Sequence, residues 1–123
     1  MFITERCLLT DYEVFAKMLR FDGQMDVLEF SLYKRWYDMV DAKATALSAI
    51  IYVDTQPELC VDRIKGRARD GEEGIPLSYL TSLDHFQSEM VTNAPVPAIR
   101  VTSRDVNSVN SFVQGVIDSR LFC

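Results

Sequence analysis

The hexapeptide Ser48-Ala49-Ile50-Ile51-Tyr52-Val53 constrains the fold of this chain more than any other stretch. It is short, β-branched and almost continuously apolar, a pattern that suits a strand buried on both faces in a parallel sheet. A parallel partner must be reached through a crossover, and Ala98-Ile99-Arg100-Val101 supplies one after the rigid connector Asn93-Ala94-Pro95-Val96-Pro97. Two helical patterns lie between. One opens at Asp54-Thr55-Gln56-Pro57, where the missing N–H of Pro57 costs nothing in a first turn; the other opens at Pro76 and carries Leu77, Leu80, Leu83 and Phe86 on one side. Strands separated by helices predict βαβ crossovers and a parallel α/β sheet flanked by helices.

Upstream of the hexapeptide, the apolar stub Phe2–Thr4 ends at Glu5-Arg6. Val14, Phe15, Met18 and Leu19 then follow Thr10-Asp11 at helical spacing. Thr10 and Asp11 are residues able to cap that helix, and Phe21-Asp22-Gly23 ends it. From Asp26 to about Ala46, Leu28, Leu32, Trp36, Met39, Val40 and Leu47 recur at three- and four-residue steps, which predicts a long amphipathic helix. A closing helix from about Val106 carries Val109, Phe112, Val113, Val116 and Ile117 on one face.

With 123 residues, 48% hydrophobic and 25% charged, the chain is read as a single soluble domain, 1–123. A domain of this size buries roughly two-thirds of its unfolded surface. A net charge of −5 argues against a general nucleic-acid binder, which needs a broad basic face. Cys7, Cys60 and Cys123 are odd in number and form no CxxC pair, and His85 is the sole histidine. Neither a disulfide framework nor a Cys/His zinc site is indicated, so a reducing compartment is expected. No apolar run approaches the length of a membrane span, and Met1-Phe2-Ile3-Thr4-Glu5-Arg6 lacks the features of a signal peptide. A cytoplasmic protein with no membrane partner is the expectation.

In this acidic chain, guanidinium groups concentrate between Cys60 and Leu80. Arg63 and Arg67 lie one helical turn apart, and Arg69 follows where Asp70, Gly71 and Gly74 let the backbone leave the helix. Guanidinium forks bind phosphate oxygens bidentately, and a glycine-bearing loop gives them motion, so the segment reads as a lid over phosphate. A solvated basic helix face is the plain alternative.

Five elements in order resemble the deoxynucleoside kinase family, over essentially all residues from Phe2 onward: Glu5-Arg6-Cys7, Ile50-Ile51-Tyr52-Val53, Pro57-Glu58-Leu59-Cys60, Arg63-x3-Arg67-Ala68-Arg69 and Gly74-Ile75-Pro76-Leu77-Ser78-Tyr79-Leu80. Within it, the chain looks most like the deoxycytidine and deoxyguanosine kinases and their viral relatives. The resemblance implies a P-loop kinase (Rossmann-like) fold, ATP as phosphate donor and Mg2+ as its companion. Glu5 and Arg6 match a Glu-Arg-Ser motif whose members serve the metal–phosphate side and the substrate's 5′ region, which makes Glu5 an indirect metal residue. Cys7 stands in place of the serine and removes a hydroxyl donor. Asp11 matches a residue that orients the nucleobase and Phe15 one that stacks on it. On a helix the two share a face, although a capping Asp and a core Phe are equally plain readings. Glu72 matches the lid glutamate that accepts from the sugar 3′-hydroxyl, with Glu73 one position past it. Arg63, Arg67 and Arg69 match the lid arginines that grip the donor phosphates and the moving group. Tyr79, Leu80 and Leu83 read as packing, and His85 as structural or exposed.

No GxxxxGK[ST] loop occurs in the 123 residues, and Gly66, Gly71 and Gly74 precede no Lys-Ser/Thr pair. In the family that loop, its strand and the catalytic glutamate come before the Glu-Arg-Ser step. The chain therefore resembles the C-terminal part of such a kinase: the Glu-Arg motif at 5–7, the lid at 63–74 and the closing strand and helix at 98–120. The family's phosphate-loop strand lies between the strand matching Phe2–Thr4 and the strand at Ala49–Val53, so both flanking strands are expected to expose unpaired backbone groups. The implied parent activity is transfer of the ATP γ-phosphoryl to the 5′-hydroxyl of a deoxynucleoside in nucleotide salvage, in the cytoplasm or, for a longer parent, the mitochondrion. This stretch alone is expected to bind nucleotides weakly and turn over none. The alternative is a degenerate half-kinase that acts as an interaction module, forming a homodimer through the Leu/Trp stripe of the 26–46 helix.

Overall fold

A computed structural model of the chain describes residues 2–41, 47–72, 74–102 and 104–121. The backbone divides into two compact units, one of Met1–Thr45 with Ser78–Met90 and one of Ala46–Leu77 with Val91–Cys123.

In the first unit, Phe2–Thr4 forms no strand, and Phe2 and Ile3 are 99% and 78% exposed. Among the described residues no strand pairs with these three, so the strand implied by the resemblance does not form there. A continuous helical run follows: α1 (Leu8–Thr10), a π-helical segment (Asp11–Ala16) and α2 (Lys17–Phe21). It starts three residues before Asp11, with the extended Cys7 at the N-cap position, so neither Thr10 nor Asp11 caps it. Leu8 and Leu9, both half-buried, continue the apolar pattern backward and carry the helix with them. Within the π segment the Lys17 N–H reaches the Tyr12 carbonyl, five residues back. Val14, Ala16 and Met18 are buried along this run, which ends at Gly23 with φ 72°.

Helix α3 (Val27–Asp41) opens on a reciprocal cap: the Glu29 N–H donates to Asp26 Oδ1 and the Asp26 N–H to Glu29 Oε2, each at 2.8 Å. Tyr37 is its buried residue, with its ring centroid 4.5 Å from that of Tyr12; Phe30 and Tyr33 lie at 6.0 and 6.4 Å from the same ring. Leu28, Leu32, Trp36 and Met39 are 68, 57, 48 and 67% exposed, so the aliphatic stripe is the outward face. The expected last turn of this helix, to Ala46, lies outside the described residues, as does Cys123. Helix α5 (Leu77–Thr92) starts just after Pro76 and buries Phe86 and Met90, with Phe86 edge-on to Phe21 at 5.9 Å.

In the second unit, β1 (Ile50–Val53) and β2 (Ala98–Val101) pair in parallel, from Ile50 opposite Ala98 to Val53 opposite Val101. The Ile50 N–H bonds Pro97 O at 2.9 Å and the Asp54 N–H bonds Val101 O at 2.8 Å, which extends the ladder at both ends. This is an α/β arrangement with a two-stranded parallel sheet. Strand β1 is not buried on both faces: Ile50, Ile51 and Tyr52 are half-buried and Val53 is 51% exposed, because among the described residues the sheet has only two strands, too narrow to be sandwiched between helix layers. Helix α4 (Pro57–Arg67) follows β1. Helix α6 (Val106–Leu121) packs beside β2 and half-buries Val109, Phe112, Val113, Val116 and Ile117. Among the described residues no helix is long and apolar enough to cross a membrane.

Candidate functional site

Pro57, buried in the first turn of α4, starts the helix that carries the predicted lid arginines. Arg63 and Arg67 stand one turn apart on one exposed face. The helix stops at Arg67, sooner than Asp70 or Gly71 suggest, because Ala68 adopts the left-handed conformation (φ 48°, ψ 48°) and donates its N–H to Ile64 O at 3.1 Å. Such a cap normally uses glycine, which has no Cβ to crowd the carbonyl. The Glu72 N–H then bonds Arg69 O at 3.2 Å, closing a turn whose third residue, Gly71, has φ 88°. A second turn closes from the Ile75 N–H to Glu72 O at 3.3 Å.

These turns fold Glu72 back onto α4. Its Oε2 accepts from Arg67 Nη2 at 2.5 Å and from Arg67 Nε at 3.2 Å, so two of the predicted site residues meet each other. Arg69 lies elsewhere. It lines, with Lys65, Glu72, Val61, Ile64, Ala68 and Ile75, a groove of about 250 Å³. Val61, Ile64, Lys65 and Ala68 follow the spacing of a single helix face, different from the face of Arg63 and Arg67. The end of α4 therefore presents two cationic surfaces. Among the described residues Arg67 is ion-paired, whereas Arg63, Lys65 and Arg69 are not. Lys65 escapes a reading that counts guanidinium groups alone; its four-residue spacing from both Val61 and Arg69 is the signal that marks it. Glu73 lies outside the described residues.

The remaining predicted residues belong to the first unit. The Arg6 guanidinium stands 4.9 Å from the centroid of the Phe15 ring, a cation–π contact, and Arg6 itself has φ 91°. Positive φ in a residue with a Cβ is strained, by about 1–3 kcal/mol. Phe15 is half-buried and Asp11 exposed, both within the π segment. Burial, and then the Asp11 charge, pushes the Tyr33 phenol above its ordinary value. Glu5 is exposed and makes no ion pair with Arg6. Among the described residues no cluster of three or more His, Cys, Asp or Glu could hold a metal ion. Cys7 Sγ lies 3.7 Å from Thr10 Oγ1. His85 is exposed, edge-on to Phe86 at 5.3 Å and 3.9 Å from Glu89.

Deoxycytidine kinase of Rattus norvegicus is 38% identical to this chain over 88 residues, covering 69% of the chain and 34% of that protein. Deoxycytidine kinase of Homo sapiens is 36% identical over the same share of each. The mitochondrial thymidine kinase 2 of Homo sapiens is 30% identical over 88 residues, 71% of this chain and 33% of that protein. The chain thus spans about a third of the length of these relatives. The family model described as deoxynucleoside kinase matches residues 1–119, and the chain belongs to that family.

Proposed function

We propose that this chain is part of an enzyme that transfers the γ-phosphoryl of ATP to the 5′-hydroxyl of a deoxynucleoside in nucleotide salvage, in the cytoplasm or the mitochondrion. The observation that carries the reading is the lid, where exposed cations at the end of α4 adjoin a glycine-bearing double turn. Phosphoryl transfer depends mostly on positioning and charge neutralisation, and cations on a movable segment supply both. Arg63, Arg67 and Arg69 grip the donor phosphates, Glu72 accepts from the sugar 3′-hydroxyl, Arg6 holds the 5′ region, and Asp11 with Phe15 orients and stacks the base. The single carboxylate of Glu5 fits Mg2+, which takes one or two protein carboxylates and completes its shell with phosphate and water. When bound, Mg2+ neutralises charge on the donor phosphates. With no GxxxxGK[ST] loop in its 123 residues, this chain by itself binds ATP weakly and turns over no substrate.

Two measurements on the 123-residue chain test the reading. Addition of ATP shifts the nuclear magnetic resonance signals of the lid, and a transfer assay with deoxycytidine gives no product above background. Absence of any lid response overturns the lid assignment, and clear phosphorylation overturns the inactivity of the chain.

A second reading is favoured by the aliphatic face of α3. Leu28, Leu32, Trp36 and Met39 are about half or more exposed on one side, which suits a homodimer formed by packing this helix against its counterpart. Leu32→Ala or Trp36→Ala weakens self-association in sedimentation velocity, whereas an unchanged association state argues against the helix as the contact.

A further inference from the structure

We propose that Lys65 binds the donor's terminal phosphates, holding an oxyanion jointly with Arg69 across the groove on α4. This rests on the lid reading above and extends it to a residue outside the arginine set. Lys65 and Arg69 line one groove, and among the described residues neither is ion-paired. The left-handed Ala68 breaks the helix between them yet leaves Arg69 on the groove. Two adjacent cations repel each other, and an anion between them turns that repulsion into attraction.

The groove strengthens the effect. Its lining includes the half-buried apolar side chains of Val61, Ile64 and Ile75, so a bound oxyanion is less well screened there than on an open helix face. Glu72 also lines the groove, but its Oε2 is engaged by Arg67. That ion pair also neutralises one of the three arginines, and Lys65 restores the missing charge on the groove side. An ammonium on a flexible stem, with three rotatable donors, can follow a phosphate as the lid moves.

The test uses the 123-residue chain and two probes, inorganic tripolyphosphate and ATP, titrated at fixed ionic strength and followed by nuclear magnetic resonance. Lys65→Ala and Lys65→Gln weaken both probes by about three- to tenfold, the range of an exposed charge-assisted contact, and Lys65→Arg returns affinity to near the wild-type value. Melting temperatures of all three variants match the wild type, which separates ligand contact from a structural role. If Lys65→Ala binds as the wild type does while Arg69→Ala loses affinity, the lid stands and the role of Lys65 is overturned. If the wild-type chain binds neither probe, the lid reading falls and this proposal with it.

Discussion

Arg67 and Glu72 hold each other: a single carboxylate oxygen of Glu72 receives both Nη2 and Nε of Arg67, at 2.5 and 3.2 Å. In the proposed reaction the first grips phosphate and the second a sugar hydroxyl, so ligand binding and this ion pair compete. The two side chains are 49% and 25% exposed, and pairs of that kind contribute at most about 1 kcal/mol. Glu72→Gln releases Arg67 and strengthens tripolyphosphate binding by about two- to fivefold, with little change in melting temperature. Titration of the variant against the wild type checks this, and equal affinities mean that the pair does not restrain Arg67.

Helix α4 and its cap are built below their attainable stability at two positions. Gly66 sits inside α4 with nothing within 4 Å of a Cβ placed there, so Gly66→Ala stabilises the chain by about 0.5–1 kcal/mol. Ala68, at φ 48°, is left-handed with a Cβ, and Ala68→Gly gains about 1 kcal/mol. Urea denaturation of the two variants measures both effects. A loss of stability in Ala68→Gly would show that the left-handed cap is not the ground state.

Tyr37 gives the chain an alkaline limit. Burial, followed by the charges of Asp41 and Glu13, pushes its phenol from 10.0 up to about 12. The unfolded chain then loses this proton first, so the stabilisation is complete below pH 10 and disappears as pH rises toward 12. Ultraviolet titration of phenolate absorbance registers Tyr37 as a late-ionising tyrosine, and Tyr37→Phe removes this part of the alkaline loss.

At the other end of the pH scale, Asp105 guards the start of α6. The Ser108 hydroxyl and then the Ser108 N–H, at 3.1 Å, hold its carboxyl below the ordinary value of 3.8. Its stabilising contribution is present above pH 3.8 and is lost as pH falls through the lower folded value. The Ser108 amide signal moves with that titration. Asp105→Asn keeps an acceptor but abolishes the pH response, and Asp105→Ala loses both and frays the first turn of α6.

The parallel pair β1 and β2 was legible because each is a short apolar run set off by helical patterns. Helix α6 was legible from residues three and four apart, which are the ones half-buried. The start of the first helical run was not. Thr10 and Asp11 carry the chemistry of a cap, yet burial of the preceding apolar residues outweighs one side-chain bond, and the helix begins at Leu8. A π segment leaves no mark in composition. On α3 the aliphatic stripe is conspicuous in sequence, while the face that packs is set by stacking of Tyr37 on Tyr12, a contact between elements. On α4, the spacing of Arg63 and Arg67 was readable. The meeting of Arg67 with Glu72 was not, because it depends on Ala68 taking a conformation that composition assigns to glycine.

The backbone of Arg6 carries a consequence for the sequences this position tolerates. At φ 91° only glycine is at ease, yet glycine has no guanidinium to lay on Phe15. If Arg6 has the proposed role at the substrate's 5′ region, libraries randomised at codon 6 diverge with the screen applied: heat resistance alone enriches glycine, whereas retention of nucleotide enriches arginine. The frequency at which the two outcomes cross is a direct reading of how local fitness for folding and for ligand trade against each other in one residue.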